Sequence, residues 1–220
     1  MLKRIKYLNI EYTEKDLDYI AYFCERLECQ LGKIVDFFHL QENDISADLT
    51  IHPDLNDFRI RFKHFFENGV MPLWVSGLTH FENGKIKIET LTLEEFKKTE
   101  FRQNDNLESL IFLVLHEFVH ACQRKIRNAP NVMWLVEGMA TYMANQFDET
   151  SPFIGTLNDM INGGNNVKYS NYYLMFKYVY ITYGAEYTLE LLRNKEQAYI
   201  DTPRLYDETC VFYQKENLKK

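Results

Sequence analysis

The sequence predicts an α+β fold: a small antiparallel or mixed sheet followed by a mostly helical half. Three observations carry that expectation. The two-residue turn Asn83-Gly84 lies between the strand-like stretches 73–81 and 85–91, a strong hairpin signal. From Asn106 onward the texture changes to long apolar segments with helical spacing. Composition is ordinary for a globular chain, with 46% hydrophobic and 26% charged residues in 220, a length that suits one domain. We read 1–220 as a single domain, with an N-terminal α+β part over 1–105 and a helical part over 106–220.

The first third reads as α then β. Leu17, Ile20, Ala21, Cys24, Leu27 and Leu31 recur at helical intervals. "ADLTIHPDL" has a strand pattern at Leu49 and Ile51, stopped by Pro53. "DFRIRFKHFF" fits helix or strand, and "LTLEEFKKTEF" a short helix or loop. "DNLESLIFLVLHEFVHACQRKIRN" is a long helix, with Asp105 and Glu108 as its capping box. Pro130 separates it from "NVMWLVEGMATYMANQF", a second helix capped by Asn131. After a loop with Pro152, Gly155, Gly163 and Gly164, a third helix ends at Gly184. A fourth spans "AEYTLELLRNKEQAY", and the tail from Pro203 forms one more.

Several classes are disfavoured. A net charge of −7 with no long basic run argues against a nucleic-acid partner. No apolar run reaches the roughly 20 residues that span a bilayer, so no membrane association is expected. The N-terminus lacks the apolar core of a signal peptide, which makes the cytoplasm the expected compartment. Four cysteines without a C-x-x-C pair argue against a cysteine zinc site.

His116, Glu117 and His120 form H-E-x-x-H within "LVLHEFVHACQ". On a helix, residues four apart share a face, so both imidazoles can reach one ion at roughly 2.0–2.1 Å. Glu117 lies about 100° around from His116 and about 60° from His120. Its carboxylate therefore stands beside the ion, not on it, where a general base for an attacking water belongs. With only 6 His in the chain, an accidental match is rare. A catalytic zinc needs a third protein ligand, and Glu137 is the candidate. From His120 the helix rises roughly 10 Å to Arg127, and roughly 8 Å separates Val132 from Glu137. A short turn thus brings Glu137 back level with His120. A carboxylate in an apolar helix also asks for a partner. His39, His52, His64 and His80 lack ligand spacing and read as surface or structural groups, and Cys122 as packing.

"HEFVH" followed by "WLVEGMATY" resembles the gluzincin metallopeptidases, in particular the peptidase MA-like families, through Trp134, Leu135, Glu137, Gly138, Ala140 and Tyr142. The resemblance covers about 73–184. It implies a zincin-like fold with the metal helix at the junction of sheet and helices. It implies Zn2+ held by His116, His120 and Glu137, with Glu117 as base. Gly138 would permit close helix packing, and Thr141 would orient His116. "LWVSGLTHFENGKIKI" is similar to the edge-strand hairpin ahead of the zinc helix, a place for an extended peptide. "KYSNYYLMFKYVYITYG" is similar to a helix whose tyrosine donates to the oxyanion. Tyr169 and Tyr173 are the candidates, because Tyr172 stands where a small residue is usual. "VSGLTHF" lacks the acid that aminopeptidases of this group carry there, so the resemblance does not extend to aminopeptidase specificity. The implied function is zinc-dependent hydrolysis of a peptide or protein substrate. The alternative is a zinc-binding regulatory or interaction domain without turnover.

Overall fold

The structure is a computed structural model that describes residues 1–127, 131–147, 152–164 and 169–217. The expected turn at Pro130 and the last three residues of the charged tail lie outside the described residues. The fold is α+β, with a five-stranded mixed sheet. The chain groups into two compact units, Met1–Ala121 and Cys122–Lys220.

The first unit opens with a hairpin of β1 (Leu2–Ile5) and β2 (Leu8–Glu11), absent from the sequence reading. Each strand has four residues, and Lys3, Arg4 and Asn9 break up the apolar residues, so the alternation is too brief to register. Helix α1 (Ile20–Phe37) buries Phe23, Leu27, Leu31 and Ile34 along one stripe. Strand β3 (Ala47–His52) ends before Pro53. The ambiguous stretch is helix α2 (Leu55–Phe62), because Asp54 caps it by accepting from the Asn56 and Asp57 amides. Strands β4 (Gly77–Glu82) and β5 (Lys85–Leu91) form the expected hairpin, with Asn83 and Gly84 both at positive φ. The first of these strands starts later than expected. The Leu73 carbonyl instead accepts from the Glu100 amide and the Arg59 guanidinium. Helix α3 (Leu93–Phe96) follows.

The strand order is β1-β2-β3-β5-β4, with β2–β3 and β3–β5 parallel and the outer pairs antiparallel. Strand β4 is therefore a sheet edge. Ala47, Leu49, Ile51, Ile86 and Ile88 give the sheet its apolar face.

Helix α4 (Leu107–Ile126) carries H-E-x-x-H and passes from the first unit into the second. Its cap is not the expected box. Asn106 Oδ1 accepts from the Ser109 amide, while Asp105 pairs with Arg102. Glu108 turns to α1, accepting from Tyr22 and, through both carboxylate oxygens, from Arg26. From Leu110 to Gln123 only Phe112 and His120 are more than marginally exposed, as a helix apolar on nearly all sides requires.

The second unit is helical. Helix α5 (Met133–Met143) starts at Val132, not Asn131. Asn131 instead donates to the Leu191 and Leu192 carbonyls, closing the end of helix α7 (Tyr169–Arg193). Helix α6 (Leu157–Asn162) carries a Thr156–Asp159 capping box. The expected stop at Gly184 is a break inside α7, at φ 85°. The expected fourth helix divides at Asn194, whose side chain accepts from the Gln197 amide and starts helix α8 (Lys195–Asn217). Helix α8 continues through Pro203. Gly138 is where α5 meets α7, as a Cβ there would lie 2.3 Å from the Tyr172 carbonyl oxygen.

Among the described residues no helix is long and apolar enough to cross a membrane.

Candidate metal centre

His116 and Glu117 are buried at 6% and 7% exposure on α4, and His120 is half-buried one turn on. The helical repeat points the two imidazoles at each other's edge, rings at 85° and Nε2 atoms 3.0 Å apart. Two nitrogens bound to one tetrahedral ion at about 2.0–2.1 Å stand about 3.3 Å apart. The pair thus needs only a few tenths of an ångström of adjustment to share an ion. One ligand atom each from His116, His120 and Glu137 lies within 4.8 Å of the others, the single such group of three among the described residues. Two imidazoles and a carboxylate are a donor set that suits zinc, so the residues present fit the ion.

Glu117 is fixed from the sheet. Thr79 of β4 places its Oγ1 2.8 Å from Glu117 Oε2 and 2.8 Å from the Glu117 carbonyl oxygen. This reach exists because β4 runs alongside α4. A Cβ on Gly77 would lie 3.1 Å from the Leu113 side chain, two strand residues and one helical turn earlier. Two strand residues rise about 6.6 Å and four helical residues about 6.0 Å, so the two elements stay in step from Gly77–Leu113 to Thr79–Glu117.

Around Glu137 the second unit supplies charge and phenols. Arg127 and Tyr172 both lie within electrostatic range of it. Burial, then Glu137 and Asp159, push the Tyr172 phenol up to about 12, and its hydroxyl donates to the Asp159 carbonyl at 3.5 Å. Tyr169 is half-buried and sets its ring edge-on to Tyr172. Tyr173 is buried, its ring against Tyr142 and Phe147. Tyr172, set aside in the resemblance because it stands where a small residue is usual, is thus the tyrosine whose phenol feels Glu137. The Thr141 hydroxyl donates to the Glu137 and Gly138 carbonyls of its own helix. Cys122 is fully buried and burial pushes its thiol up, consistent with packing.

A second buried polar cluster occupies the opposite sheet face. Glu89 of β5 takes His52 Nε2 at 2.7 Å on one carboxylate oxygen and His80 Nε2 at 3.1 Å on the other. Phe58 and Phe62 pack edge-on to the His52 ring, and Phe65 lies against His80. The three polar residues sit on three neighbouring strands, so no local spacing announced them. A cavity of about 550 Å³ opens beside His52 and Glu89, also lined by Arg61, Glu82 and Lys87. No residue of the H-E-x-x-H group lines it.

Comparison with protein-family models, with curated proteins and with solved structures finds no match.

Proposed function

We propose that the protein is a zinc-dependent peptidase of gluzincin type on a zincin-like fold, with His116, His120 and Glu137 as ligands. The convergence of the two Nε2 atoms with a carboxylate of the next helix is the observation that carries this reading. When bound, zinc supplies a Lewis acid that polarises a water and the scissile carbonyl. Glu117 is one residue from a ligand and its carboxylate accepts from Thr79 of β4, which supports a role as proton carrier. It takes the proton of the attacking water and delivers it to the leaving amine nitrogen. A tyrosine of α7 donates to the oxyanion. Tyr169 and Tyr173 are the candidates by resemblance. Strand β4 is last in the sheet order, which supports it as the edge where an extended peptide would add.

A peptide-library digest with zinc-loaded protein tests this function. Cleavage is expected, abolished by chelator and reduced at least about 100-fold by Glu117→Gln. A zinc-loaded chain that cleaves nothing favours the regulatory or interaction domain instead.

A further inference from the structure

The hydroxyl of Thr79 lies between two acceptors of a single residue, the carbonyl oxygen and the carboxylate of Glu117. Thr79 and Glu117 are 8% and 7% exposed, so little water can replace either contact. A backbone carbonyl is fixed by its helix, and a β-branched side chain has few rotamers. The hydroxyl has one proton, shared between the two acceptors, and its oxygen seated beside both restricts the direction of the carboxylate relative to the helix that bears it.

Thr79 is itself fixed from both faces of the sheet. It sits mid-strand in β4, opposite Ile88 of β5. The next residue, His80, points to the other face and is held by Glu89, which also holds His52. At Gly77 the strand lies close to α4, where a Cβ would stand 3.1 Å from the Leu113 side chain. The buried His52–Glu89–His80 cluster holds the strand on the face opposite the Thr79 oxygen.

We infer that Thr79 is the positioning residue for Glu117, orienting the carboxylate toward the reacting water without touching substrate or metal. This rests on Glu117 as the proton carrier of the proposed peptidase. A misplacement of about 1 Å in a reacting group costs about 100-fold in rate. Valine keeps the shape of threonine and removes the donor, whereas serine keeps the donor.

The test compares wild type, Thr79→Val and Thr79→Ser as zinc-loaded full-length chains. Thr79→Val is expected to lower kcat about 10- to 100-fold at unchanged KM and zinc content, with the chain still folded at the assay temperature although its melting temperature falls by a few degrees as the buried carboxylate loses its donor. Thr79→Ser is expected to stay within about 3-fold of wild type. A second readout needs no turnover. In protein labelled with 13C at glutamate carboxyls, the Glu117 resonance, assigned by its loss in Glu117→Gln, should shift or broaden in Thr79→Val and stay in place in Thr79→Ser. An unchanged kcat and resonance in Thr79→Val overturns the inference. So does a loss that Thr79→Ser fails to restore, or one that tracks lower zinc content or a smaller folded fraction at the assay temperature. If wild type cleaves no peptide, the peptidase reading fails alone, and the resonance still decides whether Thr79 orients Glu117.

Discussion

Replacing Gly138 by alanine should destabilise the helical unit, although alanine is the better helix former. An added Cβ would stand 2.3 Å from the Tyr172 carbonyl oxygen and 2.8 Å from the Tyr172 carbonyl carbon and the Phe176 Cβ. Ordinary contacts begin near 3.4 Å, so α5 must move away from α7 by about 1 Å. All three obstacles are backbone atoms or a Cβ, and no rotamer change relieves them. Overpacking of this kind costs about 1–3 kcal/mol or more, against a propensity gain of about 1 kcal/mol. With contacts this short the clash sits at or above the top of its range, leaving a net loss of about 2 kcal/mol. Urea unfolding followed by circular dichroism is the assay. At a slope of about 2 kcal/mol/M, the midpoint should fall by about 1 M with the slope unchanged. A midpoint equal to or above that of wild type would mean that propensity dominates and that the α5–α7 approach is not close.

Three further outcomes follow from the first unit. Gly77→Ala should be nearly neutral, because the Leu113 side chain it meets at 3.1 Å can rotate, whereas Gly77→Val should cost about 1–3 kcal/mol in the same urea assay. Glu89→Ala strands two buried imidazoles and should lower stability by about 2–4 kcal/mol, read from thermal melts. The hydrogen bonds from Arg26, then Tyr22, hold Glu108 below the usual carboxylate range. Its contribution is therefore present above the unfolded value of about 4.3 and lost as pH falls through the folded value. Glu108→Gln should flatten stability against pH below about 4.3, by at most about 1 kcal/mol, in melts taken from pH 6 to pH 3.

Much of the fold was legible where a signal is local. The Asn83-Gly84 turn, the apolar stripe of α1 and the run of α4 each depend on neighbours in sequence, and the structure has all three. The caps were misplaced, because Asp105 and Glu108 fit a capping box in sequence yet find better partners in Arg102 and Arg26. Asn131 was misread for a similar reason, since its amide is drawn to the distant end of α7. The β1–β2 hairpin was missed because four-residue strands carry too little periodicity. In the candidate site, His116, Glu117 and His120 were legible because one helical turn unites them, and Glu137 because a helix–turn–helix has a countable rise. Thr79, Tyr172 and the His52–Glu89–His80 cluster were not. Each depends on which strands or helices become neighbours, a property of topology that no spacing within "VSGLTHF" or "SNYYLMF" encodes.

In the proposed centre His116, His120 and Glu137 hold one zinc ion. Titration of metal-stripped protein with zinc against a competing chelator tests it most directly, on wild type and on His116→Ala, His120→Ala and Glu137→Ala. Wild type should bind about one zinc per chain at submicromolar affinity, and each substitution should reduce that affinity at least about 100-fold. Absence of zinc binding by wild type, or binding that survives all three substitutions, would contradict it.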